Sequence, residues 1–167
     1  MDAVEIHQGY MPGAIGRVIE LHGTYYQAHW RFGAFFEAKV ASELAEFIRR
    51  YDAQRDGFWT AAVDGSVEGS ITIDGVHAAY EGAHLRWFIM SDALRGKGIG
   101  RRLMHAAVDF CRSRSYPRVY LWTFEGLHAA RHLYEQAGFT LVEQHRGTQW
   151  GTEVSEQRFE LLLVKRT

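Results

Sequence analysis

From Met90 to Arg102 the chain reads Met-Ser-Asp-Ala-Leu-Arg-Gly-Lys-Gly-Ile-Gly-Arg-Arg. An apolar, strand-like run precedes the segment and a helical stripe follows it, so the glycines fall at a helix start. Such a start offers backbone N–H groups without intrahelical acceptors and the positive end of the helix dipole, a combination that binds phosphate or pyrophosphate. Glycines let the backbone approach the anion, and Arg95, Lys97, Arg101 and Arg102 add positive charge. The triphosphate loop GxxxxGK[ST] is absent, because Gly98 follows Lys97. The dinucleotide fingerprint GxGxxG fails as well, since Gly98-Ile99-Gly100 is followed by Arg101 rather than leading to a third glycine. The anion is therefore not expected to belong to a nucleoside triphosphate or a nicotinamide dinucleotide.

The remaining reactive side chains are less patterned. His128 and His132 have the i, i+4 spacing of a helical zinc pair, but Ala129 stands where a zinc protease carries glutamate and no third ligand has a recognisable spacing. No metal is expected. Cys111 is the one cysteine, which excludes an internal disulfide framework and a cysteine-based zinc site. Placed late in a helix, it reads as a small buried hydrophobe.

The elements that must position these groups follow from periodicity. Val4 to His7 reads as a strand, and helices follow from Pro12-Gly13 to about Trp30 and from about Ala34 to Arg50. Phe58–Val63 and Val67–Ile73 alternate as strands around an Asp64-Gly65 hairpin turn, and His84–Met90 is the next strand. A helix with the stripe Ile99, Leu103, Ala106, Ala107 and Phe110 starts in the glycine loop. Val119–Phe124 is a strand, Leu127–Ala137 a helix with Gly138 as its C′ residue, and Phe139–Val142 and Arg158–Val164 close the chain as strands. The order β-α-α-β-β-β-α-β-α-β-β predicts an α/β fold, a mixed sheet with helices on its faces.

Composition sets outer bounds. A chain of 167 residues, 47% hydrophobic and 23% charged, suits one domain spanning residues 1–167 with a full core. A net charge of −1 gives no basic footprint for nucleic acid or an anionic membrane, and no apolar run approaches a spanning helix. The opening Met1-Asp2-Ala3-Val4-Glu5 lacks the basic and apolar regions of a signal peptide, so a soluble, reduced, cytoplasmic location is expected. An aromatic content of 14% suggests a groove lined with rings. A homodimer is the default if the chain self-associates.

Arg95-x-x-Gly98-x-Gly100 resembles the (Q/R)-x-x-G-x-(G/A) loop of the GCN5-related N-acetyltransferases, the GNAT superfamily. Ala130-x-x-Leu133-Tyr134-Glu135-x-Ala137-Gly138-Phe139 is similar to that family's second hallmark, A-x-x-L-Y-E-x-x-G-F, and the resemblance covers nearly the whole chain. The paired N-terminal helices with His22-Gly23-Thr24-Tyr25-Tyr26, and Trp150-Gly151, further resemble acetyltransferase modules fused to MarR-type regulators.

The resemblance implies a mostly antiparallel sheet of about seven strands flanked by four helices, and transfer of acetyl from acetyl-CoA to a primary amine in a ternary complex. The backbone of Phe88, Ile89 and Met90 would pair with the pantetheine arm and polarise the thioester carbonyl. The segment Arg95, Gly96, Lys97, Gly98, Ile99, Gly100, Arg101 would hold the pyrophosphate. Tyr134 matches the tyrosine beside the CoA sulfur and would act as general acid. Many relatives carry asparagine seven residues before it, where this chain has Leu127. For a general base, His84 leads on its natural pKa and shares a strand face with Arg86, with Glu81, Glu125 and water as alternatives. The aromatic cluster Tyr25, Tyr26, His29, Trp30, Phe32, Phe35 and Phe36 would form an acceptor wall. The acceptor, a small-molecule or peptide amine, is not specified. A non-catalytic CoA-binding module and an enzyme for longer acyl groups are the rival readings.

Overall fold

The computed structural model describes residues 3–163. The strands are β1 (Val4–Gln8), β2 (Gly57–Val63), β3 (Ser66–Asp74), β4 (Ala83–Met90), β5 (Arg118–Phe124), β6 (Thr140–Gly147) and β7 (Val154–Leu162). The helices are α1 (Ala14–Trp30), α2 (Ala34–Arg49), α3 (Ile99–Ser113) and α4 (His128–Gln136), with a short 3-10 turn at Asp92–Leu94. The element order matches the expected one. The strands form one sheet ordered β1-β2-β3-β4-β5-β7-β6, antiparallel at every junction except β4 with β5.

Two apolar layers hold helices to the two faces. On one, Val18 of α1 and Phe36, Val40, Leu44 and Phe47 of α2 pack on Phe58, Val67, Trp87 and Phe124. On the other, Ile99, Leu103, Met104 and Ala107 of α3 pack with Tyr134 of α4 on Trp59, Ile71, Leu85 and Leu121. Spacings of three and four residues place these side chains on one stripe of each helix.

The two closing strands depart from expectation. β6 runs on to Gly147 rather than stopping at Val142, and β7 begins at Val154 rather than Arg158. The added residues, Glu143-Gln144-His145-Arg146 and Ser155-Glu156-Gln157, carry no hydrophobic alternation; cross-strand pairing extends the ladder through them. Val164, the expected end of the last strand, lies outside the described residues. α1 begins after Pro12-Gly13, with Gly13 as its N-cap.

α2 is tied to the sheet by charge as well as by packing. The Asp74 carboxylate is 4% exposed and accepts two hydrogen bonds from Arg50, at 2.9 and 2.7 Å, and one from Arg86 at 3.2 Å. Burial pushes its pKa up. Hydrogen bonds from Arg50 and the Val76 N–H, with the charges of Arg50 and Arg86, outweigh that and hold it below the ordinary carboxylate value. A depressed carboxylate contributes stability above the unfolded pKa, about 4, and loses it as pH falls through the folded value. Asp74→Asn is expected to cost about 3 kcal/mol in urea unfolding at pH 7. The gap from the native chain should narrow as pH drops below about 4.

Candidate active site

β4 and β5 pair only at Ala83↔Val119 and His84↔Tyr120, and beyond His84 the two strands separate. The cause lies within β4. Its register with β3 shifts between Ser70 and Thr72, three residues of β3 standing against the four from Arg86 to Ile89, and Trp87 takes a φ of 47°. This is a β-bulge, which adds a residue to one strand, bends it and reverses the alternation beyond it. Trp87 consequently packs on the α1/α2 side, while Phe88 and Met90 lean toward the opposite layer. From Leu85 to Met90 the edge of β4 facing β5 has no strand partner.

Beside the open edge lies a groove of about 590 Å³, walled by Phe88, Ile89 and Met90 of β4, Tyr25, His29 and Trp30 of α1, and Ala129, Ala130 and Leu133 of α4, with Arg95 and Gly96 at one end. Its size falls within the usual range for a small-molecule site. At Gly126 a Cβ would strike the Trp30 ring, so the β5–α4 turn can sit against α1 only with glycine there. The Arg95–Arg101 segment continues from the groove. Gly96 and Gly98 take φ of 72° and 70°, which favour glycine, and Gly98 caps α3 without a side-chain hydrogen bond. Among the described residues, no N–H from Gly96 to Arg101 donates to a backbone carbonyl. Lys97, Arg101 and Arg102 have no carboxylate partner among those residues, whereas Arg95 pairs with Asp92 at 2.9 Å. Four cations around open N–H groups suit an extended, multiply charged anion.

A second cavity, of about 170 Å³, lies on the α1/α2 side, between α2, β4, β5 and the β6–β7 loop. Its polar wall is Lys39, Glu43, His84, Arg86, Thr123 and Gln149, and its rings include Phe36, Trp87, Trp122, Phe124 and Trp150. Glu43 joins the two cations, accepting from Lys39 at 2.6 Å and from Arg86 at 3.1 Å. Glu156, 4% exposed, holds the loop by accepting from the Gln149 N–H at 3.1 Å and from its Nε2 at 2.7 Å, which sets Trp150 against Phe124.

His84 stacks on Tyr120, with ring centroids 4.4 Å apart. Burial, and then the Arg86 charge, lower its pKa to about 3, so at neutral pH it is an uncharged hydrogen-bonding group. Buried His22 is lowered to about 4 by burial, partly offset by its contact with the Val18 carbonyl oxygen, 2.8 Å from Nδ1.

Four residues line both spaces: Tyr26, Phe88, Leu127 and Tyr134. Tyr134 is 6% exposed, held among Phe88, Phe139 and Phe159, and its hydroxyl has no hydrogen-bond partner among the described residues. Burial raises its pKa above that of an ordinary phenol, so it stays protonated.

The structure thus brings Tyr134, His84, Phe88, Ile89, Met90, Arg95 and Gly96 to one site, with Lys97 to Arg101 continuing from its end. It moves other expected residues away. Glu125 is exposed outside both spaces, and Glu81 lies outside them too, 3.4 Å from Arg158. The aromatic cluster divides. Tyr26 and Phe36 reach the smaller cavity, Tyr25, His29 and Trp30 wall the groove, Phe32 is core and Phe35 is 63% exposed. Sequence reasoning missed Lys39, Glu43, Thr123 and Gln149. The i, i+4 pair Lys39–Glu43 flanking the α2 stripe was the one available signal.

A family model described as "Acetyltransferase (GNAT) family" matches residues 17–139. The chain is 31% identical over 117 residues to N-acetylaspartate synthetase of Rattus norvegicus, a match covering 69% of this chain and 38% of that protein. The chain thus spans well under two thirds of that relative's length. Among solved structures, a GNAT-family acetyltransferase of Staphylococcus aureus superposes with a TM-score of 0.78 at 16% identity, covering 97% of this chain and all of the other. An acetyltransferase of Salmonella typhimurium, solved with its cofactor acetyl-CoA, gives 0.74 at 18% identity, covering 98% and 96%. At these identities the structural matches establish the fold.

The depressed histidines are open to direct measurement. A lowered histidine pKa gives stability above the unfolded value, about 6.5, which is lost as pH falls. In an NMR titration, His22 and His84 are expected to keep neutral-imidazole shifts from about pH 8 to 5. Their midpoints should lie near 4 and 3.

Proposed function

Because the chain belongs to the GNAT acetyltransferase family, we propose that it moves an acetyl group from acetyl-CoA to a primary amine by direct attack in a ternary complex. The observation that carries this reading is the meeting of two cavities at Tyr134, one ending at an anion-binding loop and one walled by polar side chains and rings. Donor and acceptor can therefore be held at once.

The residues present fit acetyl-CoA. The donor supplies a thioester carbonyl and a leaving thiolate. The N–H groups from Gly96 to Arg101, with Arg95, Lys97 and Arg101, bind its pyrophosphate. The unpaired edge of Phe88–Met90 receives the amide-bearing arm as an added strand, and an N–H there stabilises charge on the carbonyl oxygen. Tyr134 donates to the departing sulfur. His84, uncharged, accepts a hydrogen bond from the incoming amine, which sheds its own proton to water. Cys111 is not placed to form an acyl-enzyme, because it is buried away from both cavities and its thiol is pushed up to about 12 by burial. Lys39 and Arg86 suit an amine that also bears a carboxylate, which makes aspartate, named in the relative's product, the first acceptor to test.

Thermal unfolding with acetyl-CoA, CoA, ATP and NAD in parallel tests the donor. At 100-fold over Kd, the two CoA species are expected to stabilise by about 2.7 kcal/mol, roughly 5–10 °C, and ATP and NAD to do nothing. A shift without thiol release across an amine panel headed by aspartate would favour the binding-module alternative, which Leu127 keeps in view. With a productive amine, Tyr134→Phe is expected to lower kcat on the order of 10²-fold while the Kd for CoA barely moves. Unchanged turnover would remove Tyr134 from the chemistry.

A further inference from the structure

Of the four residues shared by both cavities, Phe88 and Leu127 are apolar, which leaves the hydroxyls of Tyr26 and Tyr134 as the polar side-chain groups at the junction. Tyr26 comes from α1, far in sequence from the second hallmark. Its ring is clamped by Phe36 at 4.9 Å, Phe32 at 5.7 Å, Phe124 at 6.0 Å and His22 at 6.2 Å between centroids, so the hydroxyl is aimed rather than free to swing. That hydroxyl has no hydrogen-bond partner among the described residues. It is not sealed in the core either, because among the described residues the one buried, unpartnered side-chain polar atom is the Thr72 hydroxyl. Tyr26 therefore presents a donor to the space where the cavities meet. Leu127, where the family resemblance expects asparagine, offers no hydrogen bond there.

We propose that Tyr26 is a second catalytic residue, its hydroxyl donating a hydrogen bond beside Tyr134 to the sulfur that leaves the acetyl carbon. The assignment rests on the acetyltransferase reading above. The amine lone pair forms the C–N bond while the carbonyl π electrons move to oxygen. When they return, the C–S bond breaks and its electron pair stays on sulfur. Tyr134 passes its proton to that sulfur and regains one from solvent, which has taken the proton shed by the amine. Tyr26 keeps its proton throughout. A second donor is useful because an ordinary phenol titrates near 10 and a thiol near 8.5, so protonation of a thiolate by one phenol runs uphill. Burial raises the Tyr26 pKa, with the neighbouring Tyr134 adding to the shift, and keeps the group a donor.

Tyr26→Phe preserves the ring contacts and removes only the hydroxyl. Its melting temperature is expected to match that of the native chain within about 2 °C. With the best amine of the panel, kcat should fall about 10- to 100-fold while KM for acetyl-CoA stays within about two-fold. A second readout needs no acceptor: titration of the thiol of bound CoA by its thiolate absorbance. Loss of a donor to sulfur should raise that pKa by about one unit. Native kcat and an unmoved thiol pKa would overturn the role of Tyr26 and leave the acetyltransferase reading standing. A lower kcat with an unmoved thiol pKa would overturn the assignment to sulfur. If the native chain fails to bind CoA, both readings fall together.

Discussion

Backbone N–H and C=O groups taken out of water need partners, and β4 lacks them along one edge. Its ladder with β5 ends at His84, because the bulge at Trp87 bends the strand away before Met90. Everything proposed for the site depends on that separation. It opens the sheet between two strands that would otherwise close on each other, and it leaves hydrogen-bonding edge exposed to an extended ligand. It also directs the end of β4 into the turn that starts α3, so the open edge and the glycine loop lie in line. Helices seal the wedge on both sides, α1 through Trp30 against Gly126 and α4 through Leu133 and Tyr134.

The two sides of the wedge are built by different physics. The groove side works largely with main chain: open N–H groups, two glycines at positive φ and the bare strand edge. Main-chain recognition depends on conformation, so it withstands side-chain change wherever the glycines persist. The smaller cavity works with side chains, and its charged wall is one connected system. Lys39, Glu43, Arg86, Asp74 and Arg50 form a chain of hydrogen bonds from α2 into the sheet, and Arg86 also lies 4.1 Å over the Trp87 ring. The bulge residue and the charges of the smaller cavity are thereby fixed to each other.

Burial determines protonation in the centre. Desolvation holds His22 and His84 uncharged and raises the pKa of Tyr26 and Tyr134. Among the described residues, the charged side chains lining the smaller cavity are Lys39, Glu43 and Arg86, which neutralise one another in part. A centre made of neutral donors and acceptors suits the acetyl transfer proposed above, in which charge would develop only transiently, on oxygen and then on sulfur. It also shows why a histidine with a fitting natural pKa is a poor place to store a proton once it is buried beside an arginine.

Much of this was legible in the residues. Apolar periods of 2 and 3.6 fixed the order of the elements, because they record which face of a strand or helix leaves water. The Arg95–Arg101 segment was legible as a glycine-rich helix start because that pattern is set within a few neighbouring residues. Tyr134 stood out only through the resemblance of its segment, since a tyrosine on an apolar helix stripe otherwise reads as core. The polar extensions of β6 and β7 were not, since pairing with another strand, rather than their own pattern, makes them strand. The bulge at Trp87 was equally hidden, for it is a mismatch in register with β3. Whether Glu81, Glu125 or His84 meets the site, whether Tyr26 belongs to core or cavity, and how far each group titrates were decided by tertiary structure alone. Those properties depend on what stands across space and how much water is left, and such contacts join residues that lie far apart in the chain.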